Sequence, residues 1–149
     1  MEGFTVEDFI PHRGRMKLVE EILEADEKMA KTACTVNEEW PLYENGSVSP
    51  IVLIELTAQT AGVSIGWEEM VKFNKKGAGK GWIVGVRKAS FAVDSIPLNT
   101  RIVTEARELF SNGEYGEIEG RSSIGSEQIS RVVLQVFKTT REFDFGAES

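Results

Sequence analysis

An α+β layout, with a curved antiparallel sheet around one long central helix, is what this 149-residue chain predicts. Three observations carry it. A single long apolar run, from Ser49 to about Phe73, opens on a helix-start signal. Two strand-like runs precede it, and a meander of four strand-like runs follows, punctuated by tight-turn residues. The length suits one domain over residues 1–149. A chain of this size buries about 70% of its unfolded surface, enough for a real core.

The elements follow in order. Thr5 to Phe9 reads as one short helical turn, ended by Pro11. Lys17 to Glu24 and Lys28 to Val36 read as strands joined by an Ala-Asp-Glu turn. Asn37 to Ser49 holds Pro41, Asn45 and Gly46 and reads as a loop. Ser49 can cap with its hydroxyl, and Pro50 suits the first helical position. The helix is apolar nearly all round, as expected where other structure wraps it. Ala58, Ala61, Gly62 and Gly66 would let strands approach closely. Residues 75–81, Lys-Lys-Gly-Ala-Gly-Lys-Gly, form a loop. Strands over Trp82–Val93, Arg101–Phe110, Glu114–Ile124 and Gln128–Lys138 complete the meander, with Asn112-Gly113 and Gly125-Ser126 as turns. In the third of these, Ile118, Gly120, Ser122 and Ile124 alternate with Glu117, Glu119, Arg121 and Ser123, the period of a half-exposed strand.

Composition narrows the function classes. A net charge of -7 argues against a general nucleic-acid or anionic-membrane surface. Cys34 is the only cysteine, which excludes an intrachain disulfide and a cysteine-based zinc site. Its flanks, Thr-Ala and Thr-Val, make it a small buried strand residue. No metal site or cofactor is expected. Met1 to Ile10 is acidic and lacks a secretory pattern, so the cytoplasm is the expected location. Ile51 to Trp67 is short for a membrane span and carries Glu55, Thr57, Gln59 and Thr60.

Those polar residues are the chemical puzzle of the sequence. Burial disfavours the charged form of a carboxylate, so Glu55 in an apolar helix suits a protonated general acid. Gln59, one turn on, shares its face and can orient it. The plainer reading makes Glu55 a solvent-facing or structural helix residue. Gly-Ala-Gly-Lys-Gly fails the spacing of a phosphate-binding loop, since Lys80 is followed by Gly81. Lys75, Lys76, Lys80, Arg87 and Lys88 nevertheless form a basic cluster in an acidic chain. It could meet a phosphate or an acidic protein, or be a solvated charge run.

Four collinear blocks resemble the β-hydroxyacyl-acyl-carrier-protein dehydratases. Residues 10–26, Ile-Pro-His-Arg through Ala-Asp, resemble the family's opening. Residues 52–62, Val-Leu-Ile-Glu-Leu-Thr-Ala-Gln-Thr-Ala-Gly, resemble its central helix. Residues 84–91 resemble its Gly-x-x-Lys/Arg-x-x-Phe strand, and residues 96–102 take the place of a Pro-Gly-Asp-type turn. Within the family, the match is closer to the subgroup found with aryl-polyene and related lipid pathways. The resemblance implies a hotdog fold, a homodimer or a higher assembly of dimers, and an acyl-carrier-protein or coenzyme A thioester as partner. It also implies a mechanism. A (3R)-hydroxyacyl thioester sits in a tunnel at the dimer interface, a histidine removes the C2 proton, and a helix carboxylate of the other subunit protonates the leaving hydroxyl. Glu55 takes the carboxylate's place, with Gln59, Arg87 and Lys88 on the substrate side.

The pattern breaks at the histidine. The family's Gly-His-Phe-Pro-Gly loop is replaced by Tyr43–Pro50, Tyr-Glu-Asn-Gly-Ser-Val-Ser-Pro. His12 is the only histidine of the chain and the one candidate base it offers. Loss of a general base typically costs about 10²–10⁴-fold. The family's thioester-binding backbone N–H falls at Pro50, which has none, or, with a one-residue gap, at Ile51. Three readings therefore stand: a dehydratase with Glu55 as acid and His12 as possible base; a non-catalytic acyl-thioester-binding module or partner subunit; and a thioesterase that uses one helix carboxylate.

Overall fold

The structure, a computed structural model, describes residues 17–73 and 81–138. The expected turn near residue 5, His12 and nearly all of the 75–81 loop lie outside the described residues. Nine strands and one helix are present among those described: β1 Glu21–Ala25, β2 Met29–Thr35, β3 Tyr43–Glu44, β4 Ser47–Val48, α1 Val52–Phe73, β5 Gly81–Phe91, β6 Ile96–Pro97, β7 Arg101–Asn112, β8 Tyr115–Ile124 and β9 Glu127–Lys138. Six strands form one antiparallel sheet in the order β1-β2-β7-β8-β9-β5.

The helix starts as its sequence dictates. Ser49 Oγ accepts the Ile51 N–H at 3.2 Å. The Leu53 N–H then reaches the Pro50 carbonyl at 2.9 Å, and Ile54 reaches Ile51 at 3.0 Å, a tight first turn. From there α1 touches all six strands of the sheet. A helix is about 10–12 Å across, whereas six flat strands would span about 24 Å. The sheet must therefore curl around α1, which is why a helix with so little amphipathicity is stable here.

Small residues make that approach possible, and one of them, Gly120, lies on the sheet. A Cβ on Gly120 would overlap the Thr57 side chain. Thr57 and Thr60 do not disrupt the helix, because their hydroxyls donate back to the Leu53 and Leu56 carbonyls, each at 2.8 Å. Thr60 also bonds Thr32 of β2 at 2.9 Å. Thr32 begins a transverse row of buried hydroxyls, one per strand: Thr32, Thr104, Ser122 and Ser130 are successive register partners. Thr104 and Ser122 bond each other at 2.8 Å. Ser130 Oγ has no hydrogen-bond partner among the described residues. The apolar core divides into two clusters, one around Leu18, Leu53, Leu56 and Ile102, the other around Ala61, Ile118, Val132 and Leu134.

Three expectations need correction. The first strand was expected from Lys17, but ladder pairing covers only Glu21–Ala25. The N–H groups of Leu18 and Val19 go to a helix side chain instead. The 37–49 segment contains a hairpin, β3–β4, turned by Asn45 (φ 50°) and Gly46 (φ 88°) and joined by β6 in a second, three-stranded sheet. In both, positive φ matches an Asn-Gly turn. Finally, β8 does not expose its carboxylates: Glu117 and Glu119 are each only 8% exposed, because arginine, tyrosine and glutamine side chains lie over them.

Candidate active site

Glu55 sits in the first turn of α1, half-buried in the single chain. Gln59 lies one turn on and is fully buried. Its Oε1 accepts the Leu18 N–H at 2.8 Å and the Val19 N–H at 3.3 Å. Its Nε2 donates to Glu55 Oε2 at 3.0 Å. The i, i+4 pair read from the sequence is thus made. The amide of Gln59 thus ties Glu55 to the segment before β1.

Pro50 is buried and, lacking an N–H, offers the site only its ring and carbonyl. Ile51 is exposed, and its N–H is already engaged by Ser49 Oγ. A thioester oxygen would take that N–H only in competition with the cap. His12 lies outside the described residues.

Arg87 and Lys88 fall on the other side of the sheet. Lys88 is the register partner of Val133, whose neighbour Val132 packs in the helix-facing cluster. Successive strand residues face opposite ways, so Lys88 points away from α1. Arg87 reaches Glu117 on that same outer face, at 3.7 Å. Tyr115 donates to Glu117 at 2.9 Å, and Gln135 donates to the Tyr115 hydroxyl at 3.0 Å. Beside it, Glu119 receives Arg121 at 3.2 Å and, more closely, Arg131. Burial alone would raise the Glu119 carboxyl, but the two guanidiniums win and hold it below the ordinary carboxylate range. None of this network was legible as a site in the sequence.

Cys34 is buried, and its thiol is pushed up to about 12 by burial first and Glu20 second, against a smaller opposing pull from Arg101. That is an inert core thiol. No group of three or more His, Cys, Asp or Glu side chains is gathered around a metal-sized space among the described residues. No helix among them is long and apolar enough to cross a membrane.

Comparison with known proteins bears on the same residues. The family model for ApeP-like proteins, described as ApeP dehydratase, matches residues 4–146. A 3-hydroxyacyl-[acyl-carrier-protein] dehydratase FabZ of Streptococcus equi subsp. zooepidemicus is 34% identical over 132 residues, covering 83% of this chain and 88% of the relative. Among solved structures, the dehydratase heterocomplex ApeI:P from Xenorhabdus doucetiae aligns with a TM-score of 0.79 at 20% identity, covering 93% of each chain. Cj0977, a sigma28-regulated virulence protein of Campylobacter jejuni, aligns with a TM-score of 0.69 at 19% identity, over 93% of this chain and 98% of that one. These likenesses to solved structures identify the fold as the hotdog.

Proposed function

Because the chain belongs to the ApeP-like dehydratase family, we propose that it removes water from a 3-hydroxyacyl thioester carried by acyl carrier protein, with Glu55 as the general acid. The observation that carries this reading is a carboxylic acid set in a sheet-wrapped helix and held there by an amide donor. In the reaction a base takes the C2 proton. The C2–H electrons form the C2=C3 bond, the C3–O bond breaks, and Glu55 gives its proton to the departing oxygen, which leaves as water. Ile51 would lend its N–H to the thioester oxygen, releasing it from Ser49.

His12 is proposed as the base. Lys88, with Arg87 held by Glu117, is proposed to meet the acidic carrier or the phosphate of its prosthetic arm. The cytoplasm remains the proposed location.

Two features support a second subunit. β5 is a sheet edge, and Ile83, Val86 and Ala89, partners of the helix-facing Val136, Leu134 and Val132, are exposed in the single chain. The half-exposed residues of α1 include an apolar row, Ile54, Ala58, Gly62 and Ile65, beside Glu55. Apolar surface of this kind marks an interface. The occupant proposed first is a second copy of this chain. The missing histidine in Tyr43–Pro50 favours one further reading, in which a different hotdog subunit supplies the base.

The test is turnover. The purified chain should convert a 3-hydroxyacyl-carrier thioester to the enoyl form, Glu55→Gln should slow it about 10²–10⁴-fold, and His12→Gln should lower it. Full activity in His12→Gln would remove His12 as the base. Activity only after addition of a second hotdog protein would favour the two-subunit reading. Free thiol release without enoyl product would overturn dehydration.

A further inference from the structure

We infer that Arg87 is the positioning residue of the subunit interface: its side chain holds a bulge in the edge strand β5, and the bulge turns Ile83 and Val86 to the side that a second copy would cover. The inference rests on the second-subunit reading and deepens it. Register carries the argument. Val132, Leu134 and Val136 of β9 face the helix, and their partners on β5 are Ala89, Val86 and Ile83, three residues apart rather than two. A regular strand cannot supply that spacing, because its side chains alternate. Two extra residues make up the difference, Val84 between Ile83 and Gly85, and Arg87 between Val86 and Lys88. At each point two residues of β5 stand opposite one of β9, the mark of a bulge.

Straightening the ladder at Arg87 alone shows what the bulge does. Residue 87 would then lie opposite Leu134, Val86 opposite Gln135 and Ile83 opposite Phe137. Both apolar side chains would leave the inner row, and a guanidinium would stand beside Leu134 in their place. Once a second copy covers that side, an unpaired charge there is costly. Arg87 therefore forbids the straight ladder, and the outer face receives it instead. Its Nε lies 3.7 Å from Glu117 Oε2, which also accepts the Tyr115 hydroxyl at 2.9 Å. Gln135 donates to that hydroxyl at 3.0 Å, and its Oε1 lies over Gly85, where an added Cβ would come within 2.7 Å of it. The outer network thus spans both bulges. The ion pair is exposed at its arginine end and contributes little by itself. The cost of turning Arg87 inward is the larger effect. Because β5 is a sheet edge, Ile83 and Val86 stay exposed in the single chain, on the same side of the sheet as α1.

Arg87→Leu is the discriminating variant, since leucine is accepted on the inner row. Arg87→Lys is its control, since a lysine is excluded from that row in the same way. Self-association of the full chain is read by sedimentation equilibrium, with no carrier or thioester present. Arg87→Leu should raise the dissociation constant by about tenfold or more, because the burial of two apolar side chains is lost. Arg87→Lys should stay close to the wild type. A wild-type dissociation constant in Arg87→Leu would overturn the inference, as would an equal loss in Arg87→Lys. A second measurement reads the bulge itself. The cross-strand main-chain contact of Leu134, made by Val86 in the wild type, should pass to residue 87 in Arg87→Leu, as nuclear magnetic resonance would show. Its persistence at Val86 would also overturn the inference. A wild-type chain that stays monomeric at every concentration would instead remove the second-copy reading, and the resonance contact then decides alone whether Arg87 holds the bulge.

Discussion

Glutamates lie on both sides of the main sheet, and among the described residues they keep different company. On the outer face Glu119 is gripped by Arg121 and Arg131, and Glu117 by Arg87 and Tyr115. On the inner side Glu55 is met by the amide of Gln59. A guanidinium fixes a carboxylate in its charged form. A neutral amide orients a carboxyl without demanding that it be charged. The same residue type is thus a structural counterion on one side of a strand layer and a candidate proton donor on the other.

Exchanging each glutamate for glutamine breaks this contrast most directly. Glu55→Gln should cost about 10²–10⁴-fold in turnover while the thermal midpoint moves little, as enoyl formation and a thermal melt would show. A matching loss from Glu119→Gln would erase the distinction between the faces.

A second break is aimed at the contact that seats the helix. Gly120→Val places a branched side chain where Thr57 already lies. The expected loss is about 1–3 kcal/mol, an overpacking cost, read by urea denaturation. Thr57→Ala in the same background should return part of it, since the atoms that would overlap belong to Thr57.

The outer network makes a smaller demand on stability. Glu119→Gln should lose about 1 kcal/mol, discounted for the partial exposure of its arginine partners. Its pH behaviour has a definite sign. The folded-state value lies below the ordinary 4.5. The wild type therefore holds this stabilisation fully above about pH 4.5 and loses it as the pH falls through the folded value. Glu119→Gln should lack that acid-limb loss, so the two stability curves should converge at low pH.

The smallest effect is on Cys34. With its thiol pushed up to about 12, a thiol reagent at pH 8 should label it only as fast as the chain opens, and hardly at all in the folded state. Rapid labelling would show that the inner face is wetter than its burial implies.

Much of the fold was legible. The long apolar run with Ser49-Pro50 at its head announced α1, and Asn112-Gly113 and Gly125-Ser126 announced the meander. The short β3–β4 hairpin escaped although Asn45-Gly46 is the same turn signal, because two-residue flanks carry no alternation to read. Glu117 and Glu119 looked solvent-facing since period-2 alternation reports which face a residue takes, not what lies over that face. At the site, Glu55 and its i+4 neighbour could be read from spacing. The contribution of Leu18 and Val19 could not, because it is made by main-chain N–H groups that every residue except proline owns.

The row of hydroxyls across the sheet has a consequence for folding. Strand alignment repeats every two residues, so a slip of one would turn a whole strand inside out. In β2, β7 and β8 such a slip would part Thr104 from Ser122 and leave Thr60 without Thr32. Two bonds, Thr32 to Thr60 and Thr104 to Ser122, are made only in the correct alignment, so the row works as a proofreading mark on β2, β7 and β8.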